Sequence, residues 1–425
     1  MNRHILLLFM ALCAMAVSCC ECVYAQVVTD SNWREDVKTV TLYKNGVEGE
    51  RPVLVLGSED RLLLRFDVLG AEVEGYRYKI QHCDSRWQVD EMEPYEYMNG
   101  FEEGPINNYN SSFTTLTDYV NYYEYIPSQY SQFLISGNYV VTVTRQNEPD
   151  NVLLTRRFCV VEGSLKADVS VGVPYDNVSI FERREVDVAL KENRDYRGSM
   201  LPPTLNPAYF RVVVQQNGRT DNMRELPFGG YESGVLCYRH KNENVFEGGN
   251  TFRYFDISNI RTAMYNVVQI EEYGGEWYAM LRPLEDRSGK SFITEQTLNG
   301  GMKVNVWDRT NKQTEADYVY VNFMLPMRSP FMNGSVHVVG ELTQWKLDEG
   351  SRMEYDPEMQ AYRLRLMLKQ GYYAYQLLFV PKGESCGLTE TLEGNHYEMP
   401  NDYRVYVYYR GLNDRYDRLV AYGKN

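Results

Sequence analysis

Polar and apolar residues alternate with a period of two along most of this chain, and no other feature constrains its fold as strongly. The segments 62–68, 76–80, 139–143 and 362–368 all show this alternation. Successive side chains of a β-strand point to opposite faces of a sheet, so the pattern predicts strands with one buried face. Tyrosine, which favours strands, occurs 36 times. We therefore predict an all-β protein of several antiparallel, immunoglobulin-like β-sandwiches in tandem.

Turn-rich segments divide the mature chain into three predicted domains. Residues 26–162 form an N-terminal β-sandwich, residues 163–326 a middle β domain, and residues 327–425 a C-terminal immunoglobulin-like β-sandwich. The last boundary falls where Pro326 and Pro330 begin a polar break between two predicted strands. Each domain is long enough to bury a core of its own.

Residues 1–25 have the features of a signal peptide. The apolar run Ile5–Val17 contains 13 residues, fewer than the roughly 20 that a membrane-spanning helix needs. The small residue Ala25 suits cleavage that releases the chain, whereas a loose lipobox ending at Cys19 would leave that cysteine lipidated. We favour release after Ala25, because the lipobox lacks its usual leucine. No later segment is apolar enough to span a membrane, so we expect an exported chain without a transmembrane span.

Charge and cysteine spacing exclude further classes of protein. The formal charge is −14, which argues against binding to nucleic acid, because that needs a cationic surface. Four cysteines remain after the leader, and they lie too far apart in the sequence for a disulfide framework or a zinc site. We expect isolated and mostly buried thiols at Cys83, Cys159, Cys237 and Cys386.

The sequence displays no catalytic motif. It has no G-x-S-x-G elbow, P-loop or G-x-G-x-x-G sequence. His82-Cys83-Asp84 resembles a metal or Cys–His cluster, but adjacent strand residues point to opposite faces and cannot easily share one ligand sphere. We therefore predict a non-enzyme with no catalytic residue, no cofactor, no metal and no small-molecule substrate.

The N-terminal domain contains a long tyrosine-rich insertion, Trp87–Tyr130, with little periodicity. A connection of this length is unusual inside a compact domain and is either functional or packed across a sheet. The strand Tyr403–Tyr409 is likewise aromatic on both faces. Either a partner covers these second faces, because interfaces are enriched in tyrosine, or neighbouring domains do. The candidate partner-binding residues are Tyr119, Tyr122, Tyr123, Tyr125, Tyr406 and Tyr408.

A second candidate site lies in the C-terminal domain. Val338–Trp345, followed by Gln370–Tyr375, resembles the early-strand module found beside amylase-type enzymes and in glycogen-binding domains. An exposed tryptophan in such a module can stack on a sugar ring. The other interpretation is that Trp345 is a core residue beneath a strand. The alternative function is therefore an exported carbohydrate-binding protein that uses Trp345.

A set of short motifs runs through most of the mature chain. The motifs are Tyr78–Asp84 with Trp87, Asn99–Gly104, Thr114–Tyr119, Ser136–Tyr139, Gln216–Arg219, Phe252–Asp256, Ala316–Val319, Leu368–Tyr373, Glu393–Asn395, Tyr408–Arg410 and Arg415–Asp417. Together they resemble the type IX secretion system plug family, formerly a domain of unknown function. The chain departs from the family at Met399-Pro400, where members often carry a threonine–glutamate pair near Asn401.

This resemblance implies a multidomain β protein without catalysis. Members are thought to bind and seal the periplasmic opening of the large outer-membrane translocon barrel when no substrate is passing. The expected partner is therefore the barrel protein, and the expected location is the periplasm, at the inner side of the outer membrane. The family has no catalytic motif, so no catalytic residue is carried over.

Overall fold

The computed structural model describes residues 27–198, 201–202, 205–295 and 298–425, so the predicted leader, with Ala25 and Cys19, lies outside the described residues. Strands make up 48% of the chain and helices 3%, which confirms the all-β class with several antiparallel sheets. No helix within the described ranges is long and apolar enough to cross a membrane. Within the described residues the helical elements are the single turn α1 (Pro94–Tyr97) and three 3-10 turns, Pro207–Tyr209, Asn242–Asn244 and Glu341–Thr343.

The strands are numbered here in chain order. The first twelve are β1 (Ser31–Asn32), β2 (Val37–Lys44), β3 (Val53–Val55), β4 (Leu62–Leu69), β5 (Tyr76–Cys83), β6 (Met98–Asn99), β7 (Glu103–Ile106), β8 (Asn108–Ser111), β9 (Tyr119–Ile126), β10 (Gln132–Phe133), β11 (Gly137–Arg145) and β12 (Glu148–Val161). The next seven are β13 (Leu165–Gly172), β14 (Arg183–Glu192), β15 (Phe210–Gln216), β16 (Arg224–Leu226), β17 (Gly230–Glu232), β18 (Val235–Tyr238) and β19 (Val245–Glu247). The last eleven are β20 (Arg253–Asp256), β21 (Val267–Tyr273), β22 (Glu276–Leu281), β23 (Met302–Val304), β24 (Tyr318–Pro326), β25 (Gly334–Val339), β26 (Arg352–Asp356), β27 (Ala361–Lys369), β28 (Gly371–Pro381), β29 (Tyr403–Tyr409) and β30 (Arg418–Lys424).

The first sandwich is built from β1 to β12. One sheet has the order β1-β12-β11-β5-β7, with β3 parallel to β12, and the facing sheet has the order β2-β4-β9-β8. The alternating apolar residues of both sheets, among them Leu64, Phe66, Ile80 and Val141, form one core. The short strands β6 and β10 pair separately as a two-stranded ribbon.

The second sandwich combines the middle of the chain with its end. One sheet has the order β13-β14-β18-β17, with β19 also pairing with β14, and the other has the order β16-β15-β29-β30. Val188, Val212, Val405 and Val420 come from both sheets and share one core. A turn at Asn217-Gly218 follows β15, and both residues have positive φ, at 52° and 86°.

The third sandwich follows the strand order β20-β28-β25-β26-β27-β24-β22-β21, with β23 also pairing with β28. Phe255, Val321, Val336 and Tyr373 lie on different strands of this path and meet in one core. The path therefore bends so that its two ends enclose that core.

The sheets do not follow the domain boundary predicted between residues 326 and 327. β24 pairs with β27 in an unbroken register from Tyr318 opposite Lys369 to Pro326 opposite Ala361, so the boundary falls inside a sheet. The predicted C-terminal domain also loses its last strands, because β29 pairs with β15 of the second sandwich. Alternation identifies a strand and its buried face, but it does not specify a partner strand almost 200 residues away.

Candidate functional site

The first and third sandwiches meet through a polar network that is closed to solvent. Nζ of Lys369 lies 2.7 Å from Oδ2 of Asp67, and both side chains are 1% exposed. The Tyr318 hydroxyl donates to the same oxygen at 2.7 Å, and Asn121 donates to the other oxygen. The Lys369 ammonium also lies 4.1 Å from the centroid of the Tyr119 ring. Both oxygens of Asp67 are therefore hydrogen-bonded, which a buried ion pair requires.

Burial sets the protonation states in this network. It lowers the pKa of the Lys369 ammonium, and the Asp67 carboxylate opposes that shift. Burial also raises the pKa of Tyr318 well above its ordinary value of 10.0, and the charge of Asp67 adds to the shift. Tyr318 therefore remains a protonated donor to Asp67 at neutral pH.

A second contact between the same sandwiches involves the loop before β9. The carboxylate of Asp317 accepts hydrogen bonds from the backbone N–H of Leu116 at 2.7 Å and of Thr117 at 3.1 Å. The Tyr119 hydroxyl donates to the carbonyl oxygen of Ala316 at 2.8 Å. The end of the tyrosine-rich insertion is therefore anchored to the third sandwich.

The first and second sandwiches meet at β30. Glu162, which follows β12, accepts a hydrogen bond from Nη2 of Arg418 at 2.8 Å and one from the Ser136 hydroxyl at 3.1 Å. Close by, the Tyr408 hydroxyl donates to Oδ1 of Asn138 at 2.9 Å. These groups are buried, so the hydrogen bonds fix the angle between the two sandwiches.

His82 belongs to this second joint. Its Nδ1 bonds to the carboxylate of Asp90, and its ring packs edge-on against Tyr139 and Tyr416, with centroids 4.9 and 5.7 Å away. A Cβ at Gly137 would lie 2.3 Å from Nε2 of His82, so this close approach requires glycine.

Several of the motifs that carry the family resemblance meet one another at these joints. Thr114–Tyr119 contacts Ala316–Val319, and Ser136–Tyr139 contacts both Tyr408–Arg410 and Tyr78–Asp84. These motif residues therefore help to specify how the sandwiches are placed against one another.

Three of the candidate partner-binding tyrosines are buried, which corrects their assignment to an exposed surface. Tyr119 and Tyr122 are 0% exposed and Tyr408 is 4% exposed. Tyr122 packs in the core of the first sandwich, where it stacks on Phe66, while the neighbouring sandwiches cover Tyr119 and Tyr408. The sequence left open whether a partner protein or a neighbouring domain covers these aromatic faces. For Tyr119 and Tyr408 the neighbouring domain does.

The other three candidates keep part of their surface. Tyr123 and Tyr125 lie on the outer face of β9, each beneath an arginine guanidinium, at 4.9 Å from Arg65 and 4.8 Å from Arg61 respectively. Tyr406 is half-buried at the joint between the first and second sandwiches. Tyr123 and Tyr125 thus remain available for contact with a partner, but they form a narrow strip.

A larger exposed aromatic surface lies around the β6–β10 ribbon. We name it the ribbon patch and define it by Tyr95, Phe101, Tyr130 and Leu134, which are 75%, 68%, 75% and 47% exposed. Phe101 and Tyr130 are brought together because Ser131 hydrogen-bonds both the N–H and the carbonyl of Phe101. Tyr95, Phe101 and Tyr130 lie within the tyrosine-rich insertion, but the sequence pattern did not predict that they would be exposed together.

Trp345 does not form an exposed platform. Its side chain is buried, and its ring packs edge-on against Phe252 with centroids 6.1 Å apart. A Cβ at Gly300 would lie 2.2 Å from Cη2 of the indole, so the backbone of that glycine closes over the ring. The core interpretation of Trp345 therefore holds, and a sugar cannot stack on it in this conformation.

One group of side chains in the described part of the chain has the composition of a metal site. Oxygen and nitrogen atoms of Glu185, Asp187 and His240 lie within 4.8 Å of one another. Burial, followed by the nearby Glu185 carboxylate, raises the pKa of Asp187 to about 6. Nδ1 of His240 lies 3.0 Å from Oε1 of Glu185, so the imidazole already pairs with one of the two carboxyl groups.

The four described cysteines are free thiols, three of them buried and Cys386 half-buried. Cys83 and Cys159 both lie opposite Asn138, on the two strands that flank β11. Two strand spacings separate them by roughly 10 Å, too far for a disulfide bond. Burial raises the pKa of each of these two thiols to about 12, so neither is a reactive thiolate.

These features define a class of protein: a multi-sandwich β protein whose units are joined by buried polar networks and whose first sandwich carries an exposed aromatic patch. Residues 37–162 match the family model of the type 9 secretion system plug protein 1st domain. The chain is also similar to a hypothetical protein from Parabacteroides merdae ATCC 43184, whose crystal structure is known. The two sequences are 31% identical, and the two structures have a TM-score of 0.89, with 93% of this chain and 98% of that one covered. No curated protein matches the chain significantly.

The chain therefore belongs to the type IX secretion system plug family. Family membership gives it a role connected with type IX secretion in the cell envelope and an interaction with the secretion machinery. Because the similarity to the Parabacteroides protein covers nearly all of both chains, the arrangement of the three sandwiches is shared as well.

Proposed function

We propose that this protein is a non-catalytic periplasmic plug, which binds and seals the periplasmic opening of the type IX outer-membrane translocon barrel. The observation that carries the proposal is the match of residues 37–162 to the first domain of the plug family. Sealing a pore requires no chemical step, and the buried residues of the joints are used in structural hydrogen bonds.

The joints support this role because a plug must keep its shape. A flexible string of domains loses conformational entropy when it docks, which weakens binding. Here the Asp67–Lys369 and Glu162–Arg418 networks connect the first sandwich to the other two. The three sandwiches can therefore bind as one preorganised body.

The ribbon patch is the contact surface that we favour. Exposed aromatic residues clustered at one place are typical of binding surfaces, whereas single exposed apolar residues are ordinary. The patch also adjoins the hairpin loop between β29 and β30, because Arg415 of that loop pairs with Glu96 of α1. Leu412 in the same loop is 86% exposed and extends the apolar surface. The strip formed by Tyr123 and Tyr125 is a secondary contact.

Carbohydrate binding through Trp345 is not proposed as a second function. That alternative depends on an exposed indole, and the Trp345 side chain is only 6% exposed.

The contact surface is tested by capturing the barrel with the tagged mature protein from detergent-solubilised outer membranes, followed by mass spectrometry. The combined variant Tyr95→Ser, Phe101→Ser and Tyr130→Ser should lose capture, because each aromatic anchor contributes about 2 kcal/mol or more when it is buried in an interface. The variant Tyr123→Ser and Tyr125→Ser should weaken capture only partly.

The matched control is Tyr265→Ser with Tyr273→Ser, two tyrosines of the third sandwich that are 63% and 78% exposed. This control should capture the barrel as well as the wild type does. Capture that survives the ribbon-patch changes but fails in the control would place the contact on the third sandwich instead.

We further propose that the mature protein begins at Gln26 and is free in the periplasm, without a lipid. The weak lipobox at Cys19 and the suitable cleavage site at Ala25 support this. Metabolic labelling with palmitate should leave the protein unlabelled. Label that disappears in a Cys19→Ala variant would show instead that the protein is a lipoprotein.

A further inference from the structure

A cluster of two carboxyl groups and one imidazole lies on the outer face of the second sandwich. Glu185 and Asp187 alternate along β14 with core residues such as Val188. Successive side chains of a strand point to opposite faces, so these two carboxyl groups share the face that points away from the core. His240 follows β18, the strand that pairs with β14. The ligand atoms of Glu185, Asp187 and His240 all lie within 4.8 Å of one another.

The backbone of His240 brings its imidazole to this face. Tyr238, two residues earlier, points into the core, and a regular strand would direct His240 to the same side. β18 ends at Tyr238, and His240 has a left-handed conformation with φ of 58°. Its ring turns back toward β14, where Nδ1 lies 3.0 Å from Oε1 of Glu185.

Backbone groups hold the Glu185 carboxylate in one orientation. Oε1 accepts a hydrogen bond from the N–H of His240 at 2.8 Å, and Oε2 accepts one from the N–H of Tyr175. Carboxylates that bind metal ions are commonly oriented by such hydrogen bonds, and each oxygen has a second lone pair. Glu185 is therefore positioned in advance as a ligand.

The cluster can be reached from solvent. The side chain of His240 is 58% exposed, while that of Glu185 is 3% exposed. Asp187 also keeps part of its surface. A small ion can therefore approach on the side of His240 and meet the buried carboxylate behind it, without any opening of the core.

No lysine or arginine balances the two carboxyl groups. Among the described residues, the ion-pair partner of Glu185 is His240, and Asp187 has no ion-pair partner. Arg239, which precedes His240, pairs with Glu232 instead. The cluster therefore concentrates negative charge, which a divalent cation would balance.

The kinds of ligand atom and their spacing indicate which cation fits. Carboxylate oxygens and imidazole nitrogens are both ligands of zinc, whereas Ca²⁺ and Mg²⁺ prefer oxygen alone. Zinc bonds of about 2.0–2.2 Å at tetrahedral angles separate the ligand atoms by roughly 3.3–3.6 Å. The observed limit of 4.8 Å and the 3.0 Å between His240 and Glu185 lie on either side of that range. Small side-chain movements would therefore complete the site.

We propose that Glu185, Asp187 and His240 bind one Zn²⁺ ion, with water in the remaining coordination position. The ion would fasten the segment after β18 to β14 and, through Glu185, to the segment at Tyr175. This role departs from the sequence prediction of a protein without metal. It goes beyond sealing of the barrel, and its test does not depend on that function.

The test is calorimetric titration and thermal melting of the untagged mature protein, freed of metal with a chelator, with the chlorides of zinc, magnesium and calcium. Zinc should bind at one site per chain and raise the melting temperature with concentration, because it binds the folded cluster. Magnesium and calcium should do neither. His240→Ala and Asp187→Asn should each weaken zinc binding by about tenfold or more.

The matched controls are Cys386→Ser, at a half-buried thiol, and Asp195→Asn, at a carboxylate that is 86% exposed. Both should bind zinc as the wild type does. A crystal structure grown with zinc chloride should show one ion bound to Glu185, Asp187 and His240.

Three results would overturn the proposal. The first is zinc that neither binds nor shifts the melting temperature. The second is zinc binding that is unchanged in His240→Ala and Asp187→Asn but lost in a control variant, which would place the ion elsewhere. The third is equal binding of magnesium, calcium and zinc, which would show only a general attraction of cations to acidic groups.

Discussion

At the scale of single residues, the joint between the first and third sandwiches depends on the buried ion pair of Asp67 with Lys369. Asp67 lies between Phe66 and Val68, and its place in the pattern predicts a solvent-facing residue. In the structure that outer face is covered by the third sandwich, and Asp67 is paired with Lys369. An alternation with a period of two assigns each residue to one face of a strand. It does not predict whether solvent or a neighbouring domain covers the polar face.

The buried pair gives a prediction for stability. Lys369→Met leaves the Asp67 carboxylate buried without its cation, and we expect the free energy of unfolding to fall by about 3–5 kcal/mol. Urea denaturation followed by circular dichroism measures the change.

The control for this prediction is Lys191→Met, which breaks an exposed pair with Asp168 in which both side chains are more than half exposed. Its effect should stay below about 1 kcal/mol. Equal effects of the two substitutions would mean that the Asp67–Lys369 pair does not hold the joint.

At the scale of strands, the sequence predicted the elements well and their partners poorly. The strands at residues 62–69 and 403–409 lie where the alternation placed them. The prediction that a strand with two aromatic faces needs a second cover was right for β29, whose Tyr408 is covered by the first sandwich. The separation of β29 and β30 from the second sandwich was wrong, because pairing between distant strands leaves no periodic signal in either of them.

Removal of β29 and β30 tests whether the second sandwich depends on these two strands. A chain that ends at residue 402 lacks β29, which pairs with the whole length of β15. It also lacks six of the sixteen buried residues of the second core. We expect fast amide hydrogen exchange in β14 and β15 of the shortened chain, while β4 and β5 of the first sandwich stay protected.

The sequence-based division makes the opposite forecast, because it treats residues 163–326 as a domain that folds without the chain end. Full protection of β14 and β15 in the shortened chain would support that division and contradict the sheet order described here. Protection in the first sandwich serves as the internal control.

At the scale of the whole molecule, the short motifs were more informative than composition. They indicated the family, and the structure explains why they are spread through the chain: several of them meet at the joints between sandwiches. The exposed ribbon patch could not be predicted in the same way. Its residues are drawn together by the pairing of β6 with β10 and by Ser131, and neither has a distinctive sequence pattern.

In the proposed function the protein closes a pore by binding, with no chemical turnover. Conductance of the purified translocon barrel in a planar lipid bilayer tests it most directly. Addition of the mature protein to the periplasmic side should lower the conductance, and addition to the opposite side should not. The variant Tyr95→Ser, Phe101→Ser and Tyr130→Ser should leave the pore open. Unchanged conductance at a protein concentration that saturates the barrel would show that the protein does not close the pore.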